Sequence, residues 1–218
     1  MKEHNIEKIA PLDIEKRSFE IISNELEAMG VELDPQNELV IKRCIHTSAD
    51  FDYVNNLAFS EDAVKKGIEA LTKKGAVIVT DTNMGKSGIN KKVLAKLNSE
   101  VICYMADEEV AEIARQNGTT RAIASMDKAA TLDRPIIFAI GNAPTALVRL
   151  YELIGEGKIK PELIIGVPVG FVNVVEAKNL IMDTDIPYII AKGRKGGSNI
   201  AAAICNALLY MISEERYW

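Results

Sequence analysis

"RPIIFAIGNAPTAL" occupies residues 134–147. Its first half, through Gly141, is a short β-branched run opened by Pro135, and it reads as a buried strand. Its second half opens a helix. Pro144 suits a first helical turn, Asn142 can cap it, and the apolar pattern continues to Ile154. A strand apolar on both faces, followed at once by a helix, is the repeating unit of a parallel sheet.

The unit recurs on either side. Upstream, "GAVIVTD" (75–81) and "EVICYM" (100–105) read as strands; downstream, "PELIIGV" (161–167) and "PYIIAKG" (187–193) do so. Helical patterns fill the gaps. A capped helix spans 60–74, with Glu61 and Asp62 in its first turn. Others follow at 90–97, 107–116, 120–130, 173–180 and 198–213. Five strands alternating with helices predict an α/β fold with a five-stranded, mainly parallel sheet, covered on both faces and doubly wound by right-handed crossovers. Ahead of it, helices are expected at 13–30, with Asp13 as cap and Gly30 as stop, and at 36–49. No Pro/Gly/Ser-rich linker interrupts the chain. We therefore read one domain over 1–218, with 1–55 a helical N-terminal part and 56–218 the doubly wound part.

Composition excludes several classes. The 218 residues are 48% hydrophobic and 26% charged, which is ordinary for a globular protein. The net charge of −5 argues against a nucleic-acid binder. The opening "MKEHNIEKIA" lacks the apolar core of a signal peptide. The longest apolar stretch, 163–175, is broken by Gly166, Pro168, Gly170 and Asn173 and is too short to span a bilayer. A cytoplasmic protein without membrane partners is expected. Cys44, Cys103 and Cys205 are odd in number and widely spaced, so they read as buried thiols rather than disulfides or a zinc site.

Ligands of such sheets gather at the C-terminal strand ends, so the turns there hold the candidates. After the first strand comes "TDTNMGKSGI". Its "GKS" resembles the end of a phosphate-binding loop, but Thr80 stands where that motif needs glycine, five positions before Gly85. A polar turn remains, offering Thr80, Asp81, Thr82 and Asn83, with Met84 beside them; turn chemistry alone accounts for it equally well. After "IFAIG", Asn142 is a structural cap and Thr145 stands near an exposed helix start. "GVPVGFVNVVEAK" carries Gly166 and Gly170, which suit either a close backbone approach to something flat or a tight crossover. Arg121 opens a helix capped by Thr119 or Thr120 and can grip a carboxylate with two hydrogen bonds. After the last strand, "AKGRKGGSNIAAAICNAL" sets Lys192, Arg194 and Lys195 among Gly193, Gly196 and Gly197 just before a helix. That makes an anion site. The spacing is not that of a dinucleotide fingerprint.

His46, in "VIKRCIHTSADF" (40–51), is the one histidine away from the N-terminus. On a helix it shares a face with Arg43, and Lys42 and Asp50 lie one turn either side. Those neighbours oppose one another in their effect on an imidazole, which suits proton transfer near neutral pH. Burial for packing is the alternative, and the residues alone leave both open.

Taken in order, "RSFEII", "KRCIHTSADFDY", "VTDTNMGKSGI", "FAIGNAPTAL", "GVPVGFVNVVEAK" and "AKGRKGGSNIAAAICNALL" resemble the precorrin-8X methylmutase family, which includes the cobalt-precorrin-8 methylmutases of corrin biosynthesis. The resemblance covers about 18–209. It implies a Rossmann-like three-layer α/β/α sandwich and a homodimer with the active site near the interface. The implied activity is that of an isomerase, which moves a methyl group from C11 to C12 of the macrocycle by a 1,5-sigmatropic shift and gives hydrogenobyrinic acid or cobyrinic acid. It implies no cofactor, since any cobalt is carried by the substrate. The family's R-x-x-H context falls on Arg43 and His46, making His46 the catalytic residue. Its N-terminal serine falls on Ser18, which with Arg43 is implied to contact substrate. A large, flat polycarboxylate would then meet Lys192, Arg194, Lys195, Arg121 and Arg43. Thr80, Asp81, Met84, Gly196 and Gly197 complete the expected substrate surface. A tetrapyrrole carrier without catalysis is the alternative; it would need the cations but not His46.

Overall fold

The computed structural model describes residues 7–213; residues 1–6, with His4 and much of the opening stretch, and 214–218 lie outside it. Six strands form one sheet: β1 Leu57–Phe59, β2 Val77–Thr80, β3 Glu100–Ile102, β4 Ile136–Ile140, β5 Leu163–Gly166 and β6 Tyr188–Ala191. Their order is β1-β6-β5-β4-β2-β3. β2 to β6 are parallel, as expected. β1 corrects the count of five. It pairs antiparallel with the edge of β6, Ala58 opposite Ile190. Three residues are too few to display a period, and an edge strand needs no continuous apolar run.

The helices are α1 Ile14–Ala28, α2 Glu38–Ser48, α3 Tyr53–Asn56, α4 Ala63–Lys73, α5 Asn83–Gly88, α6 Lys91–Lys96, α7 Glu108–Gln116, α8 Arg121–Ala129, α9 Pro144–Gly155, α10 Val174–Met182 and α11 Ser198–Ile212. Alternation along each strand sorts the core into two layers. Ile78, Ile137, Leu163, Ile165 and Ile189 pack with Leu71 of α4 and with Ile200, Ile204 and Leu208 of α11. Val79, Phe138, Ile140, Ile164 and Ile190 pack with Met126 of α8, Leu147 and Leu150 of α9 and Ile181 of α10. Ile22 and Leu26 of α1 and Val40 and Ile45 of α2 join the first layer. The N-terminal helices are thus part of the core that covers the sheet.

Three expected helix starts are corrected. Asp13 makes no side-chain cap to α1, because a short 3-10 turn, Pro11–Asp13, already leads into it. Glu61 and Asp62 precede α4 rather than filling its first turn, and Asp62 has a left-handed φ of 57°. The Ser60 hydroxyl instead accepts the Tyr188 N–H at 2.9 Å, fastening β6 beside β1. Asn142 does not cap α9; its N-cap is Ala143, which offers no side chain for the task. The Ala143 N–H is bound instead by Asp81, just after β2.

Candidate functional site

The chain leaves β2 toward β3 on one side, then returns to β4 on the other. The C-terminal ends of β2 and β4 are therefore a topological switch point, where open α/β sheets place ligands. Here Asp81 closes it. The side chain is buried, its Oδ1 accepts the Gly141 N–H at 2.9 Å, and its Oδ2 accepts those of Asn142 and Ala143 at 2.8 and 2.6 Å. Burial pushes its carboxyl above the ordinary aspartate value, while the three N–H groups pull it back. Thr80 is buried too, its hydroxyl donating to Thr82 O at 3.0 Å. Neither side chain has a free face for substrate. We correct both to supports of the strand ends.

The crevice floor is tight. Thr82 caps α5 by accepting the Gly85 N–H at 3.0 Å, and its hydroxyl lies 2.7 Å from that of Ser198. A Cβ on Gly141 would stand 2.6 Å from Ser198 Cα. Gly197 is buried and donates its N–H to Val167 O at 2.8 Å. A Cβ on Gly196 would stand 2.0 Å from Val167 O, and the residue has φ +154°. These two glycines, expected at the substrate, first let the β6–α11 loop lie flat on the β5–α10 loop. Gly196→Ala is expected to cost about 1–3 kcal/mol in backbone strain; a lower midpoint in urea unfolding checks it.

Above this floor lies an exposed apolar and cationic rim. Met84 is 70% exposed, Phe171 81% and Val172 78%. The Arg194 guanidinium lies 5.3 Å from the centre of the Phe171 ring. Lys192 and Arg121 are exposed and make no side-chain hydrogen bond or ion pair with another described group. Phe171 was read as part of a turn; its only signal was an aromatic residue in a glycine-bearing apolar segment. Lys195 is not free, since its Nζ donates to Asp50 at 2.6 Å and to Asp52. It joins the basic loop to the segment that follows α2. Its sequence neighbours could not show that, because both acids lie far away along the chain.

The second group of expected residues sits on α1, α2 and α11. Arg43 is buried, ion-paired to Glu15 at 2.6 Å, with its guanidinium 4.4 Å from the Tyr210 ring centre and 5.1 Å from that of Phe19. Its Nε and Nη2 are buried without a hydrogen-bond partner. Arg43 thus ties α1, α2 and α11 together, and the open cation expected of it is not there. Ser18 is half-buried and donates to Ile14 O at 3.0 Å, inside its own helix. His46 is exposed in the last turn of α2, its ring 5.5 Å from that of Phe19. The packing role for His46 falls away. So does the opposed pair of neighbours: Lys42 turns to Glu38 and Ser23, and Asp50 to Lys195.

α11 links the two groups. Ser198 lies at its start under the crevice, and Tyr210 lies near its end over Arg43. α2 packs along it, and the Asp50–Lys195 pair closes the far corner. No group of His, Cys, Asp and Glu that could hold a metal occurs among the described residues. Cys44 and Cys205 are buried, and burial pushes both thiols up, Cys205 to about 12. No described helix is long and apolar enough to cross a membrane.

A doubly wound sheet with helices on both faces and a strand-end crevice rimmed by cations and exposed apolar side chains defines a Rossmann-like α/β/α scaffold. Residues 13–211 match the family model described as precorrin-8X methylmutase. The cobalt-precorrin-8 methylmutase of Salmonella typhimurium is 44% identical over 208 residues, covering 94% of this chain and 97% of that protein. The precorrin-8X methylmutase of Pseudomonas aeruginosa is 37% identical over 197 residues, 89% of this chain and 93% of that protein. The crystal structure of a Thermus thermophilus precorrin-8x methyl mutase superimposes with a TM-score of 0.81 at 39% identity, covering 91% of this chain and 96% of that one. The chain belongs to the precorrin-8X methylmutase family.

Proposed function

We propose that this chain converts precorrin-8, in its metal-free or cobalt form, to the corresponding corrin acid in vitamin B12 biosynthesis. It is an isomerase. One C–CH₃ bond breaks at C11 and one forms at C12 within a single molecule, with the macrocycle's double bonds shifting between. No electron leaves or enters, so the reaction draws on no redox cofactor, and cobalt where present is part of the substrate. The observation that carries the reading is the family match over 13–211 on a site of the right chemistry. An exposed aromatic and aliphatic rim can face the flat ring, and the cations beside it can meet carboxylate arms.

Within that site we assign His46 as the group that donates a proton to, or hydrogen-bonds, the ring C region while the methyl migrates, and that takes any donated proton back as the product forms. The reason is geometric. It is exposed, and its imidazole has no hydrogen bond to any described group. Arg194, Lys192 and Arg121 are assigned to the carboxylates, and Phe171 and Met84 to the ring face. A protein with net charge −5 can hold a polyanion only by concentrating cations locally.

We also propose a homodimer with the site near its interface. Leu12 is 95% exposed, Ile14 53%, Ile21 40% and Met29 56%, all on or beside α1. A groove of about 710 Å³ runs between α1 and α2, lined by Phe19, Leu39 and Pro35 among charged neighbours. Apolar surface of that kind suits a second copy. Sedimentation equilibrium is expected to give twice the chain mass, and a monomer at micromolar concentration would remove the proposal.

The function is tested by incubating pure protein with metal-free and with cobalt-containing substrate and following the macrocycle absorbance. Conversion of at least one is expected, without added cofactor. Failure of both, with folded protein, would overturn the reading.

A further inference from the structure

Lys178, in the middle of α10, has no exposed surface. It has no carboxylate partner among the described residues. Its Nζ donates to Gly193 O at 2.8 Å and to Lys195 O at 2.9 Å. Between those two, Arg194 O accepts the Gly170 N–H at 3.2 Å. Three consecutive carbonyls are thus drawn inward, toward α10 and the loop that leads into it. The described backbone has no cis peptide bond. In a trans peptide the N–H points opposite to the C=O of the same plane. The N–H groups of Arg194, Lys195 and Gly196 must therefore point outward, and none of them donates to a described group. Successive N–H groups turned to one side form an anion-binding concavity. Arg194 and Lys192 hang from the same loop.

The lysine is costly where it sits. Burying an ammonium without a counter-ion is unfavourable, and burial pushes its pKa down to about 8. A methionine would fill the same space without that cost but would leave the Gly193 and Lys195 carbonyls without their donor, so the ammonium's value here is the hold it has on that loop.

We propose that Lys178 is a positioning residue: its buried ammonium holds the 193–196 loop so that three peptide N–H groups and the Arg194 guanidinium meet a carboxylate arm of the corrin substrate. This rests on the methylmutase reading above and names how that site grips its polyanion.

The test compares wild type, Lys178→Met and Lys178→Arg in melting temperature, kcat and KM. Lys178→Met sheds a costly buried charge but leaves two carbonyls without a donor, so its melting temperature is expected to stay within a few degrees of wild type. Its KM rises about tenfold or more, the worth of one charge-assisted hydrogen bond, while kcat stays within about threefold. Lys178→Arg keeps charge and donors and recovers most of the lost KM. A merely structural lysine would lower the melting temperature and leave KM alone, which overturns the proposal, as does an arginine variant no better than methionine. Should Lys178→Met fail to fold, wild-type amide resonances decide. Adding hydrogenobyrinic acid is expected to shift the amides of Arg194, Lys195 and Gly196, and unshifted amides overturn the proposal. Shifted amides in a wild type that turns over neither substrate would sink the methylmutase reading instead and leave the loop's grip standing.

Discussion

His46→Ala is expected to lower kcat by about 10²- to 10⁴-fold, the usual worth of a general acid, with folding unchanged. The second half of that statement makes the first interpretable. The His46 ring is exposed, its one described contact is the Phe19 ring at 5.5 Å, and no hydrogen bond holds it. Removing it should move stability by no more than about 0.5 kcal/mol. A loss of turnover is then chemical, and it is read directly as the change in macrocycle absorbance with time. Binding of hydrogenobyrinic acid, measured by calorimetry, should stay within about threefold of wild type, since the lost interaction is one made in the transition state. A carrier would show the reverse pattern, indifferent to His46 and dependent on Arg194. Unimpaired turnover would remove His46 from the mechanism.

Arg43 was paired with His46 by helical spacing, and the spacing is real, but a shared face does not mean a shared environment. Arg43 lies one turn nearer the α1–α11 contact, between the Phe19 and Tyr210 rings and on Glu15. The His46 ring also faces Phe19 but stays exposed. Of the apolar positions that periodicity marks within α2, Val40, Cys44 and Ile45 are buried and Leu39 is half-buried. Periodicity says nothing about which side chains of neighbouring helices cover each position, and Tyr210 and Glu15 meet Arg43 while His46 has only the Phe19 ring beside it among the described groups. Lys195 shows the same limit. Local composition reads it as one of three free cations, and only the fold brings Asp50 and Asp52 to it.

The parallel strands were legible because each is apolar on both faces and bounded by turn residues, a pattern that burial imposes directly. β1 was not, being three residues long at an edge. Lys178 was invisible for a related reason. A lysine on an amphipathic helix normally reaches solvent, and nothing local shows that the loop before α11 folds over it. Pairings across elements, rather than the elements themselves, were the unread part of the site.

Asp81 gives the sharpest case, because its two readings predict opposite outcomes. Asp81→Ala is expected to destabilise the protein by about 3 kcal/mol or more, since each buried donor left without a partner costs about 1–3 kcal/mol. Three donors depend on it, from Gly141, Asn142 and Ala143, at 2.9, 2.8 and 2.6 Å. Asn142 is exposed and can regain a water, so the cost falls mainly on the Gly141 and Ala143 N–H groups. The carboxylate also sits beside the start of α9, on the N–H of its N-cap residue Ala143; an acid at that helix end gains from the dipole. Asp81→Asn is expected to lie between, because one amide oxygen can still accept while the amide nitrogen faces an N–H. Urea unfolding measures both variants. The midpoint should fall with the slope unchanged, marking lost stability rather than an altered unfolded state. A domain of this kind holds only about 5–15 kcal/mol in total, so the alanine variant should also accumulate poorly in cells. Had Asp81 been a substrate ligand at the switch point, as its position after β2 suggested, Asp81→Asn would raise KM and leave the midpoint in place. The geometry favours the first outcome because the carboxylate's oxygens already face backbone N–H groups from the far side of the crevice. On the assignment proposed above, the substrate lies over the switch point, on the rim of Phe171, Met84 and Arg194, and the residue that seals the floor keeps the two strand ends together beneath it.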